Sequence, residues 1–120
     1  MKKVLLLFTI ILVSTTLSFS QNKDFNKIKK LMTVQSDCWN KGDIDCFMET
    51  YWKSDSLVFV RGNGPTYGWQ QTLENYKRRY PTTEEMGQTH FTILRMSKID
   101  KNTVFVIGRY ELARESGDLA

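Results

Sequence analysis

The sequence predicts an α+β domain in which about three helices pack on one face of an antiparallel sheet. Apolar residues recur at helical spacing in three segments, and three other segments have the β-branched and aromatic composition of strands. The elements follow the order helix, helix, strand, helix, strand, strand, and a short turn joins the last two strands. This order is typical of helices layered on one sheet.

The first 20 residues have the pattern of a secretory signal peptide. Lys2 and Lys3 form a basic start, residues 4–13 form an apolar run, and residues 14–20 are small and polar. Such a pattern is typical of cleaved export signals, and the apolar run is too short to span a bilayer. We expect cleavage before Gln21, a periplasmic or secreted product, and no membrane attachment afterwards. A buried N-terminal helix is the alternative.

Residues 21–120 are predicted to form a single domain, because 100 residues can bury one modest core but not two. The net charge of +4 includes Lys2 and Lys3, so it falls to about +2 after cleavage. The basic run at residues 77–79 lies within a predicted helix and is typical of a solvated face. We therefore expect no nucleic-acid partner.

The first two predicted helices meet at a corner in residues 38–52. Gly42 can adopt the left-handed conformation that ends a helix, and Asp43 can cap the next helix by accepting a backbone hydrogen bond. The apolar face before the corner consists of Phe25, Ile28, Leu31, Met32, Cys38 and Trp39. The apolar face after it consists of Ile44, Phe47, Met48, Tyr51 and Trp52. We expect four large aromatic side chains in the core: Trp39, Phe47, Trp52 and Trp69.

The remaining helices and strands are predicted from residue composition and from the glycine and proline residues that interrupt them. The predicted strands are residues 57–61, 90–96 and 103–112, and the last two form a hairpin across residues 99–102. The glycine-rich segment 62–66 ends the first of these strands. A third helix presents Trp69, Leu73, Tyr76 and Tyr80 and stops before Pro81, because the residue before a proline disfavours helix. Residues 81–87 are predicted to be a loop.

Cys38 and Cys46 are the only cysteines, and they flank the corner. Export places them where disulfides persist, and a bridge across so short a loop would stabilise the fold by about 2 to 3 kcal/mol. Two partly buried free thiols are an equal alternative, because the separation of the Cα atoms cannot be inferred from sequence. No metal site is expected, since the single histidine is distant in sequence.

Several short motifs resemble the SnoaL-like, nuclear-transport-factor-2-like domains from about residue 24 onwards. They are Trp39-Asn40-x-Gly42-Asp43, Phe47-Met48 with Tyr51-Trp52, Leu57-x-Phe59, Gly68-Trp69, and Tyr76 to Tyr80. The resemblance implies a cone-shaped, curved antiparallel sheet wrapped around the helices. It also implies a pocket for an unknown small molecule in the open mouth, and frequent assembly as a homodimer.

Two departures from these relatives matter. Relatives continue beyond the turn at Gly117-Asp118 with another pair of strands, so we expect the domain to be C-terminally incomplete. Relatives also commonly carry His at the position of Glu111 and Asp at that of Thr92. Acid–base roles at those two positions therefore do not carry over.

The candidate pocket-lining residues are Tyr51, Phe59, Trp69, Tyr76, His90, Arg109 and Glu111. Core packing is the alternative for the aromatic residues, and solvation is the alternative for His90 at a strand end. Arg109 and Glu111 form either an inward charged pair or a surface ion pair. The outward orientation is favoured because the other side of the strand is more apolar, with Val104, Val106, Tyr110 and Leu112.

Three functions fit these residues. The favoured one is an exported domain that binds a small, partly apolar molecule without converting it, because the predicted lining is aromatic. The alternatives are an isomerase or cyclase-type acid–base enzyme, with His90 or a carboxylate as base, and a dimerising accessory module. No cofactor is expected, because the sequence has no phosphate-binding loop, metal cluster or Ser/His/Asp arrangement.

Overall fold

The computed structural model describes residues 23–115 and confirms the α+β class. The helices are α1 (residues 23–40), α2 (Ile44–Glu49), α3 (Trp69–Arg79) and α4 (Thr83–Met86). The strands are β1 (Val58–Arg61), β2 (Gly64–Tyr67), β3 (Gln88–Lys98) and β4 (Val104–Ala113). The predicted signal peptide and the turn after residue 115 lie outside the described residues. No helix in residues 23–115 is long and apolar enough to cross a membrane.

Two antiparallel hairpins supply the strands. β1 pairs with β2, with Val60 opposite Pro65, and β3 pairs with β4, with His90 opposite Glu111. The second hairpin is the predicted one. β2 was not predicted, because Gly64 and Pro65 are typical of a break; Pro65 is tolerated because this strand has only one neighbour in the described part of the chain.

The helical corner forms as predicted. α1 ends at residue 40, and Gly42 adopts a left-handed φ of 76° while its N–H donates to the carbonyl of Trp39 at 2.8 Å. Asp43 caps α2, since its carboxylate accepts a hydrogen bond from the backbone N–H of Cys46 at 2.9 Å. Cys38 and Cys46 are joined by a disulfide with a Cα–Cα distance of 5.5 Å. The corner is therefore crosslinked as well as capped.

Trp39 is at the centre of the core. Its side chain is 5% exposed, and its indole N–H donates to the backbone carbonyl of Met86 at 3.0 Å. The rings of Phe47, Tyr76 and Tyr80 contact it edge-on at centroid distances of 5.0, 5.8 and 5.0 Å. The core thus joins α1, α2, α3 and the segment before β3 through one aromatic cluster.

The predicted burial of Trp52 is wrong, because this side chain is 65% exposed. α2 ends at Glu49, and Thr50 caps it by donating its hydroxyl to the carbonyl of Phe47 at 2.7 Å. The chain leaves the helical path there, so helical spacing no longer brings Trp52 to the inner face. Trp69 is half-buried against the core, and its indole N–H donates to the carbonyl of Met48 at 2.8 Å.

α1 runs antiparallel along β3 and is attached to it at both ends. Near its start, Lys98 of β3 forms an ion pair with Asp24 at 2.7 Å. At its end, the amide of Asn40 donates to the carbonyl of Thr89 at 3.1 Å and accepts from the N–H of Thr89 at 2.6 Å. These side-chain hydrogen bonds use backbone groups of β3 and fix the helix above the second hairpin.

Candidate functional site

A cavity of about 720 Å³ lies between the helices and the two hairpins. The helices contribute Trp39, Phe47, Tyr76 and Arg79 to its wall, and the neighbouring segments contribute Tyr51 and Tyr80. The first hairpin contributes Phe59, Val60, Arg61, Gly62 and Asn63, and the second contributes Thr89, Phe91, Tyr110 and Leu112. Every layer of the described fold therefore borders the cavity.

The aromatic wall is a continuous series of edge-on contacts. Tyr51 contacts Phe59 at a centroid distance of 6.0 Å, and Phe59 contacts Tyr76 at 5.6 Å. Edge-on packing is favourable because the positive edge of one ring meets the negative face of the next. The arrangement holds the rings in place and leaves a rigid apolar surface toward the cavity.

Two tyrosines in this wall carry hydroxyl groups with perturbed acidity. Burial raises the pKa of Tyr51, and the neighbouring Tyr76 raises it further. Burial also raises the pKa of Tyr76, although Arg61 beside it acts in the opposite direction. Both phenols are therefore protonated at neutral pH. The two hydroxyls hydrogen-bond each other, which leaves one hydroxyl proton of the pair to donate to a ligand.

Arg61, the last residue of β1, lies over this wall. Its guanidinium is 4.8 Å from the ring centre of Tyr76 and 5.3 Å from that of Phe59. Burial alone lowers the pKa of Arg61, but Tyr76 and Tyr80 outweigh it and raise the pKa above its usual value. Arg79 lies 5.9 Å from the ring centre of Tyr80. The cavity thus has two permanent positive charges at one side of an aromatic wall.

A smaller cavity of about 240 Å³ adjoins the first on the side of α3. The two share the side chains of Phe59, Arg61, Asn63, Tyr76 and Arg79. The smaller cavity is otherwise lined by polar or charged residues: Thr66, Thr72, Asn75 and Arg78. No cluster of three or more His, Cys, Asp or Glu residues suited to a metal ion occurs in residues 23–115.

No family model and no curated protein matches the chain. Among solved structures, it is similar to an NTF-2-like protein of unknown function from Shewanella oneidensis MR-1, with 31% identity and a TM-score of 0.77. The similarity covers 80% of this chain and 79% of that one. The chain belongs to the NTF-2-like family. This confirms the resemblance to nuclear-transport-factor-2-like domains, and it supplies no ligand, because the function of that relative is unknown.

Three of the seven predicted pocket residues lie on the larger cavity of this NTF-2-like domain: Tyr51, Phe59 and Tyr76. Trp69 lies elsewhere, because its indole is held against Met48 and its outer face is covered by the ammonium of Lys53 at 4.8 Å. His90 is exposed on β3, because Thr89 and Phe91 on either side of it face the cavity and side chains alternate along a strand.

Arg109 and Glu111 point outward on β4 and form an exposed pair, with the Arg109 Nε 3.9 Å from a carboxylate oxygen of Glu111. Tyr110 and Leu112, on the opposite side of the same strand, line the cavity. The outward orientation favoured by the sequence is therefore the one observed. An exposed pair of this kind contributes little to stability.

Sequence analysis missed most of the lining of this NTF-2-like cavity. Phe91 had a detectable signal, because it alternates with the exposed His90 on a predicted strand. Tyr110 and Leu112 had been assigned to the core side of their strand without being named as pocket residues. Arg61 and Arg79 had no such signal, since a charged residue at the end of a strand or helix is usually solvated.

Proposed function

We propose that this NTF-2-like domain binds a small molecule with a flat, apolar body in the larger cavity. The observation that supports the proposal is the aromatic wall of an open cavity of about 720 Å³. Small-molecule sites in proteins have volumes of about 300 to 1,000 Å³, apolar walls and a few polar groups that orient the ligand. The cavity has these features.

The polar groups of the described lining support binding rather than proton transfer. The hydrogen-bonded pair Tyr51 and Tyr76 offers one phenol donor, Arg61 and Arg79 offer guanidinium donors, and Asn63 offers an amide. Groups of this kind hold an oxygen atom of a ligand in place. A proton shuttle requires a base whose pKa lies near the working pH, and permanently charged guanidinium groups and protonated phenols do not provide one.

The neutral fluorophore N-phenyl-1-naphthylamine tests this proposal, because its emission rises in apolar surroundings. We expect saturable binding to the purified protein with one probe per chain. Tyr110→Asp places a charge in the cavity wall at a position that is 51% exposed. It should weaken binding of the neutral probe by about 10-fold or more, since a bound apolar probe would cover the carboxylate and separate it from water. Tyr67→Asp is the matched control, because Tyr67 is 66% exposed and does not line the cavity.

Two results would contradict binding in the cavity. One is fluorescence that rises linearly with probe concentration and never saturates. The other is equal affinity in Tyr110→Asp and Tyr67→Asp, which would place the probe on another surface.

The proposal includes export of the domain. The signal-like pattern of the first 20 residues supports it, and so does the Cys38–Cys46 disulfide, since such bonds persist in oxidising compartments. We expect N-terminal sequencing of protein from the cell envelope or medium to begin at Gln21. Recovery of the chain from the cytoplasm with Met1 intact would contradict export.

A further inference from the structure

Arg61 and Arg79 line both cavities where the two meet, and Arg78 lines the smaller cavity. The described lining of the two cavities contains no carboxylate. Elsewhere in residues 23–115 the exposed Lys53 and Lys77 are paired with Glu49 and Asp45. The described lining shared by the two cavities is therefore positively charged.

Arg61 is the best placed of the three groups to receive an anion. Its side chain is only partly exposed, and its guanidinium lies over the rings of Phe59 and Tyr76. Contact with aromatic rings compensates part of the desolvation of the cation, and the guanidinium also donates hydrogen bonds to the hydroxyls of Tyr76 and Tyr80. A guanidinium has more N–H donors than these two bonds use, so donors remain for a ligand. Those N–H groups match the two oxygens of a carboxylate, which a guanidinium binds through paired hydrogen bonds.

The smaller cavity provides hydrogen-bonding groups around this position. The Oδ1 of Asn75 accepts a hydrogen bond from Arg78 at 2.5 Å, which holds that guanidinium against α3. The Asn75 amide donates to the hydroxyl of Thr66 at 3.5 Å, and the hydroxyl of Thr72 is already used in donating to the carbonyl of Gly68 at 2.8 Å. The guanidinium of Arg78 is thus held in place before any ligand enters.

We infer that the ligand of this cavity is a carboxylic acid, whose carboxylate binds Arg61 at the junction while its apolar body occupies the aromatic cavity. The inference rests on the proposed function and adds the charge and orientation of the ligand to it. Phe59 and Tyr76 border both cavities, so one molecule can contact the rings and the guanidinium at the same time.

Displacement of N-phenyl-1-naphthylamine by 2-naphthoate and by 2-naphthamide tests the inference. The two competitors share one ring system and differ in charge. We expect the wild-type protein to bind 2-naphthoate about 10- to 100-fold more tightly, the range of a charge-assisted hydrogen bond. The uncharged probe tests the cavity alone, so failure of the probe to bind would contradict the proposed function. Equal affinity for 2-naphthoate and 2-naphthamide would contradict only the inference about the carboxylate.

Arg61→Met assigns the preference to one residue. It keeps an apolar chain over the rings but removes the charge, so 2-naphthoate and 2-naphthamide should bind this variant with equal affinity. Arg61→Lys keeps the charge but lacks the paired donors, and should retain part of the preference. Arg109→Met is the matched control, because it removes the same charge from the outer face of β4. An acid preference that survives both Arg61 variants, or is lost equally in Arg109→Met, would overturn the inference.

Discussion

Trp39→Ala is expected to lower the free energy of unfolding by about 4 kcal/mol, the middle of the range for emptying a large aromatic site in a core. The substitution removes three edge-on ring contacts and leaves the carbonyl of Met86 without its indole donor. A domain of this size has a total stability of about 5 to 15 kcal/mol, so the variant loses between about a quarter and about four fifths of it. Urea unfolding followed by circular dichroism measures the change.

Trp52→Ala is the matched control for Trp39→Ala, because it removes the same side chain from a position that is 65% exposed. We expect its free energy of unfolding, measured in urea, to lie within about 0.5 kcal/mol of the wild-type value. Equal losses in the two variants, or a larger loss at Trp52, would show that the aromatic cluster around Trp39 does not hold the core together.

Gly87→Ala is expected to lower the free energy of unfolding by about 3 kcal/mol, through backbone strain and displacement of a neighbouring strand. Gly87 joins α4 to β3 with φ 65° and ψ −164°, a conformation that is almost restricted to glycine. A Cβ atom there would overlap the backbone carbonyl oxygen of Ala113 and the side chain of Arg114. The variant must either push the end of β4 away or change the entry into β3. Thermal unfolding measures the loss.

Gly62→Ala is the control for Gly87→Ala. No heavy atom lies within 4 Å of a Cβ built at Gly62, and its φ is not in the left-handed region. We expect its stability to remain within about 0.5 kcal/mol of the wild type. If Gly87→Ala and Gly62→Ala had the same melting temperature, the junction between α4 and β3 would accommodate the added Cβ atom without loss of stability.

Much of the fold follows from local chemistry and was predictable. The corner at Gly42 and Asp43 depends on a left-handed glycine and a carboxylate cap, and both are encoded within a few residues. The second hairpin depends on alternation and a polar turn, which are equally local. The burial of Trp52 was predicted wrongly, because the spacing that suggested it continues past the point where Thr50 ends the helix.

The site was less predictable, because a cavity is defined by distances between elements that are far apart in sequence. Tyr51, Phe59 and Tyr76 were named because aromatic residues suit both a core and a pocket wall. Arg61 owes its place to the aromatic rings beneath it, one of which comes from α3. No pattern in residues 57–61 indicates that α3 will lie beside that strand.

The attachment of α1 to β3 also has a kinetic consequence. The hydrogen bonds that join Trp39 to Met86 and Asn40 to Thr89 link residues 47 and 49 positions apart. The crosslinked corner and the hairpins join residues that are closer in sequence, the widest pair being Gln88 and Ala113. Contacts between near neighbours form early, because they require little loop-closure entropy. We therefore expect the aromatic cavity to assemble last. A molecule bound in it would hold together the two ends of the segment between residues 40 and 89 and slow their separation.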